Sequence, residues 1–111
     1  MDFKDCENMT IRYNHIYDHK HQAGIFTHYG TRNFHIYGND IHDNKWAGIY
    51  IKGRALPTTD VNITNNFIYR NKQNGIVVMK DSSDPAEANN ISIINNTIAE
   101  NAWEVTGLSK E

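Results

Sequence analysis

Three observations predict an all-β chain folded as a right-handed parallel β-helix, a solenoid of about four coils with three short strands per coil. Similar segments recur at intervals of 25, 27 and 30 residues, measured from Asn14 to Asn39, Asn66 and Asn96. Within each segment apolar side chains take every second position, the period of a strand. The i, i+3, i+4, i+7 pattern that a helical repeat of similar length requires is missing, and the Val, Ile, Thr, Tyr and Asn that fill the segments are poor helix formers.

The first element of each coil is the stretch Met9 to Ile16, Phe34 to Ile41, Val61 to Ile68 and Ile91 to Ile98. In all four the alternation stops at the Asn and restarts after it, which marks a corner between two strands. Asn tolerates the left-handed backbone region and bonds its own backbone, so these asparagines are expected to turn the chain themselves. Stacked coil over coil, their amides can also bond one another along the axis.

A third strand opens at a glycine in the first three coils: Gly24 to His28, Gly48 to Lys52 and Gly75 to Met79. The polar turns before these strands begin at His19, Asn44 and Asn71, and Asn101 holds the same place in the fourth coil, so a second, less regular asparagine row is expected. A single coil has no neighbour on which to bury its apolar face. Stacking at about 4.8 Å per rung supplies one. Ile11, Ile36, Ile63 and Ile93, and likewise Ile16, Ile41, Ile68 and Ile98, should then form continuous interior ladders.

The 111 residues have room for a single domain, read here as one β-helix segment over 1–111. A net charge of -2, from 11 Lys+Arg against 13 Asp+Glu, provides no basic field for nucleic acid. Cys6 is the single cysteine, which excludes an internal disulfide and the paired-cysteine zinc patterns. No apolar run approaches the roughly 20 residues that span a bilayer, so no membrane partner is expected. The polar start, Met1 to Asp5, lacks the apolar core of a signal peptide.

The unit at residues 61 to 78, with Ile63, Asn66, Ile68 and Asn71 followed by Gly75 and Ile76, resembles the repeat of the pectate-lyase-like right-handed parallel β-helix superfamily. The likeness covers residues 7 to about 108. It implies a polysaccharide lyase, a glycoside hydrolase or a uronan epimerase, or else a tailspike or adhesin shaft, and it implies an extracellular or periplasmic setting. Activity in that superfamily sits on the outside of the column, so the repeat speaks for fold more than for function. Complete members have more coils and an N-terminal capping helix, which is not visible in Asp2 to Lys4, and Leu108 to Glu111 show no cap. The sequence therefore reads as a piece of a longer solenoid or as one that self-associates end to end.

The resemblance places a sugar chain along the outer face of the glycine-started strands. If Ile25, Ile49 and Ile76 point inward, alternation points Phe26, Tyr50 and Val77 outward, then His28, Lys52 and Met79, then Gly30, Arg54 and Asp81. Aromatic faces stack on sugar rings, and Lys or Arg neutralises a uronate carboxylate so that its α-proton can be removed. The candidate catalytic residues are thus Lys52 or His28 as base and Tyr50 as acid, with Arg54, Phe26 and Trp46 binding substrate. No pair of aspartates suited to hydrolysis lies on that face, which favours a lyase or epimerase over a glycosidase. The competing reading is a non-catalytic structural or adhesive solenoid whose exposed charges are only solvated.

Six histidines, at 15, 19, 21, 28, 35 and 42, crowd the first two coils, with His15 across a strand from Asp40. No H-E-x-x-H or comparable spacing occurs, so they read as surface histidines and no metal ligand is assigned. The acidic loop from Asp81 through Asp84 to Glu87 matches no EF-hand, and Ca²⁺ there rests on similarity to lyases with acidic clusters. It lies one coil beyond the insertion Arg54 to Thr59, on which it is expected to stack. Asn8, Asn62, Asn90 and Asn95 open formal glycosylation triplets, which the repeat accounts for without a glycan.

Overall fold

The computed structural model describes residues 1–103, and Leu108 to Glu111 lie outside the described residues. Among the described residues twelve strands follow one another: β1 (Asp2–Lys4), β2 (Glu7–Arg12), β3 (His15–Tyr17), β4 (Ile25–His28), β5 (Arg32–Tyr37), β6 (Asp40–His42), β7 (Ile49–Gly53), β8 (Thr58–Thr64), β9 (Phe67–Tyr69), β10 (Ile76–Lys80), β11 (Ala88–Ile94) and β12 (Thr97–Ala99). They form three four-stranded sheets, ordered β1-β4-β7-β10, β2-β5-β8-β11 and β3-β6-β9-β12. All neighbours within these sheets run parallel. Each turn of the chain contributes one strand to each wall, as the three-strand repeat predicts.

Register follows the sequence repeat residue for residue. Ile11, Ile36, Ile63 and Ile93 are successive partners in the second sheet, and Ile16, Ile41, Ile68 and Ile98 in the third. The first three of each row, with Ile25, Ile49, Ile51, Phe34 and Val61, close the column from inside, whereas Ile93 and Ile98 on the last described rung are 44% and 49% exposed. Phe3, on the extra rung that β1 adds, packs edge-on against Phe34 at 5.1 Å. Each fully buried Ile or Phe contributes about 1.5–3 kcal/mol, and no coil obtains that burial alone.

The corners differ from expectation. The left-handed residue is the one before each ladder asparagine: Tyr13 (φ 55°), Gly38 (66°), Asn65 (55°) and Asn95 (55°). The second row repeats this with Asp18, Asp43, Arg70 and Glu100 at 52° to 58°. A residue that turns the chain throws its side chain outward, and Tyr13 is 74% exposed. The ladder asparagine is thereby left free to lie along the stack. Asn39 and Asn66 are buried and bond both neighbouring coils, with Asn66 Nδ2 donating to Ile36 O at 2.9 Å and to Asn96 Oδ1 at 3.0 Å. The second row runs from His19 through Asn44 and Asn71 to Asn101 in the same manner. A third set of left-handed residues, Asn8, Asn33, Asp60 and Asn90, bends β2, β5, β8 and β11 in mid-strand.

The two insertions stack as the sequence predicts. Ala55 N donates to Asp84 Oδ2 at 2.7 Å, and Thr58 N donates to Glu87 O at 2.9 Å.

Candidate functional site

The first sheet alternates as read: Ile25, Ile49 and Ile51 are fully buried, while Phe26, Tyr50 and Val77 are part-exposed register neighbours on the outside. Phe26 meets Tyr50 edge to face at 5.1 Å. The Tyr50 hydroxyl donates to Met79 Sδ at 2.6 Å. Rings and thioether thus make a continuous apolar strip running across three rungs.

Charge collects at one end of this strip. Lys52 Nζ lies 3.3 Å from Asp81 Oδ2, and Arg54 Nε lies 3.7 Å from the same oxygen. The hydrogen bond from Lys52, helped by the charges of Lys52 and Arg54, holds the Asp81 carboxyl below its usual range. Arg54 also covers the Tyr29 ring at 5.2 Å. The row Gly30, Arg54 and Asp81 is not a strand row, however: β4 ends at His28, and Arg54 follows β7 in an antiparallel bridge with Leu56. Arg54 and Asp81 meet through the stacked insertions instead.

His28 departs from its expected place on the open face. It is only 4% exposed. Its ring stacks on Phe26 at 4.2 Å and tilts against Tyr29 at 4.4 Å, and its Nε2 sits 2.8 Å from Asp2 Oδ1. The cause is β1, whose Asp2 reaches the ring from the adjoining rung. Burial pushes the imidazole below its usual value, outweighing the opposite pull of Asp2. Trp46 is 38% exposed in the turn before β7, away from the strand row, and its carbonyl accepts from Gln73 N at 3.1 Å. Trp103 holds the same turn position two rungs on, where its Nε1 donates to Arg70 O at 2.9 Å and closes the corner.

The acidic loop is tied internally. Asp81 takes Lys52 and Arg54, while Asp84 accepts from the backbone of Ala55 and, at 2.8 Å, of Ala86. Among the histidines, His19 occupies a ladder position with Nδ1 3.1 Å from Asn44 Oδ1. His15 and His42 converge with Asp40 on the outer face of the third sheet, so the pair of His15 and Asp40 read from the sequence gains His42 as a third member. The 25-residue offset sets His15 beside Asp40.

Residues 1–109 match the family model described as a right handed beta helix region. The chain belongs to the right-handed β-helix family. No curated protein and no solved structure matches it. In this β-helix the outer face of the first sheet offers ring edges, a thioether, two cations and one carboxylate. That set can hold a ring with a negative substituent. Of the two residues read as candidate bases, Lys52 is ion-paired with Asp81 and His28 is covered.

Proposed function

We propose that this β-helix binds an acidic polysaccharide along the outer face of its first sheet, in an extracellular or periplasmic setting, and that it binds without cleaving. The observation that carries the reading is the convergence of Lys52 and Arg54 on one oxygen of Asp81. Two cations that already grip a carboxylate can exchange it for the carboxylate of a uronate residue. Phe26 and Tyr50 then lie along the strip beside them, where sugar rings stack. The resemblance to pectate-lyase-like repeats supports the ligand class.

Cleavage by β-elimination needs a base at the sugar C5 position. His28 is covered by Phe26 and Tyr29, and Lys52 Nζ is engaged by Asp81 at 3.3 Å. Titration of the chain with polygalacturonate, alginate and neutral dextran tests the reading. Saturable binding of the uronans, lost in Lys52→Ala/Arg54→Ala and absent for dextran, supports it, with no unsaturated ends appearing. Absence of uronan binding would reject it.

A second reading is a structural solenoid, and the same ion pairs favour it because they close without a ligand. Under that reading the two alanine changes alter only stability, by about half a kcal/mol or less.

A further inference from the structure

The outer face of the third sheet carries a cluster that neither the core nor the proposed glycan contact uses. In the parallel pair β3 and β6, His15 stands opposite Asp40, Ile16 opposite Ile41, and Tyr17 opposite His42. Ile16 and Ile41 point into the column, so the residues on either side of them point out. Four side chains therefore sit at the corners of one outward quadrilateral, and three of them carry metal-ligating atoms. His15 Nε2 is 2.5 Å from His42 Nε2 and 3.8 Å from Asp40 Oδ2. One ligand atom from each residue falls within 4.8 Å of the other two. Atoms bound to one tetrahedral ion at about 2.0–2.2 Å lie roughly 3.3–3.6 Å apart, so the two imidazole nitrogens would part by about 1 Å and Asp40 would move little.

His42 is set up for this role. Its Nδ1 faces Asp43 Oδ2 at 2.6 Å, and Asp43 Oδ1 is held by Arg70 Nη2 at 3.1 Å. A carboxylate at Nδ1 keeps the proton there, so Nε2 presents its lone pair to the cluster. The ring is also clamped between Tyr17, parallel at 5.4 Å, and Tyr69, at 4.8 Å. His15 is exposed while Asp40 and His42 are half-buried, so an ion can enter from solvent.

We propose that His15, Asp40 and His42 form a site for a divalent transition-metal ion of the Zn²⁺ class, with a fourth position left to water or an added ligand. Two imidazoles and one carboxylate suit Zn²⁺ and its neighbours and not the all-oxygen preference of Ca²⁺ or Mg²⁺. The ion would clip the first coil to the second. The rival arrangement is a bare hydrogen bond in which His15 Nε2–H donates to His42 Nε2.

The test is titration of the metal-free full chain with ZnCl₂, followed by calorimetry and by thermal melting. The expected result is one equivalent bound and a rise in Tm. His15→Ala and His42→Ala should each weaken binding by more than about 100-fold and abolish the rise, and Asp43→Asn should weaken it by about tenfold. His21→Ala and His35→Ala should change nothing. Nitrogen NMR of the unmutated chain gives a reading independent of any variant: Zn²⁺ should move the Nε2 signals of His15 and His42 and leave those of His21 in place. No saturable binding, unmoved Nε2 signals, or an isotherm that survives His42→Ala would overturn the site.

Discussion

Two donors of Asn39, its backbone N and its side-chain Nδ2, share one acceptor: both reach Oδ1 of Asn66 at 3.0 Å. Asn39 Nδ2 also donates in the opposite axial direction to Ile11 O at 2.9 Å, while Asn39 Oδ1 accepts from Asn14. Each buried amide is thus satisfied from the coils on either side. The row fixes register along the axis, and the isoleucine ladders, being non-directional, cannot do so alone.

Asn66→Ala should therefore cost about 3 kcal/mol, since it strands Asn39 N and Ile36 O in a buried place. Asn14→Ala, at the part-exposed start of the row, should cost about 1 kcal/mol. Urea denaturation of the two variants checks the ranking, and equal losses would contradict it.

Gly48→Ala tests how closely the rungs approach. An added Cβ at this position would lie 2.6 Å from Ile68 Cγ2 and 2.9 Å from both Asn71 Nδ2 and Gly75 O. One of those neighbours is a backbone carbonyl that cannot step aside without breaking the next rung. The expected loss is about 2–3 kcal/mol in chemical denaturation. A neutral variant would contradict this close approach of neighbouring coils.

His28 predicts a pH dependence. Desolvation lowers its native pKa below the ordinary 6.5, so the unfolded chain binds the extra proton first as pH falls. The sign is then fixed: the stabilisation is complete above about 6.5 and is lost as pH drops from there through the native value. His28→Phe keeps a ring in the stack and removes the titration. Melting curves between pH 5 and 7.5 should show a shallower fall for the variant than for the parent, and parallel curves would argue against a buried imidazole.

Asp81→Asn should raise affinity for uronans by roughly fivefold, about 1 kcal/mol, because it removes the carboxylate that competes for Lys52 and Arg54. Calorimetric titration with polygalacturonate measures it. Unchanged or weaker binding would separate the ion-paired cluster from ligand recognition.

The sequence was most legible where one residue type repeats at one register. Ile11, Ile36, Ile63 and Ile93 align from the repeat alone, because that row keeps one residue type at one register, even though the neighbouring inward row admits Thr27 beside Ile51. The corner geometry was less legible: turning at Asn14 or at Tyr13 leaves the same alternation, and Tyr13 is no ordinary turn former. His28 was misplaced on the open face because its cover, Asp2, comes from a short strand outside the repeat. His42 was not joined to the pair of His15 and Asp40 for a related reason. His15 and His42 meet diagonally between rungs, 27 residues apart, and no local motif records that.

The reading that matters most is that the first-sheet face takes an acidic glycan, and amide chemical-shift mapping during titration with a uronate oligosaccharide tests it most directly. Saturable shifts centred on Phe26, Tyr50, Lys52, Arg54 and Asp81 are expected, with the amides of β3, β6 and β9 unmoved. Shifts confined to another wall of the column, or none at millimolar oligosaccharide, would contradict it.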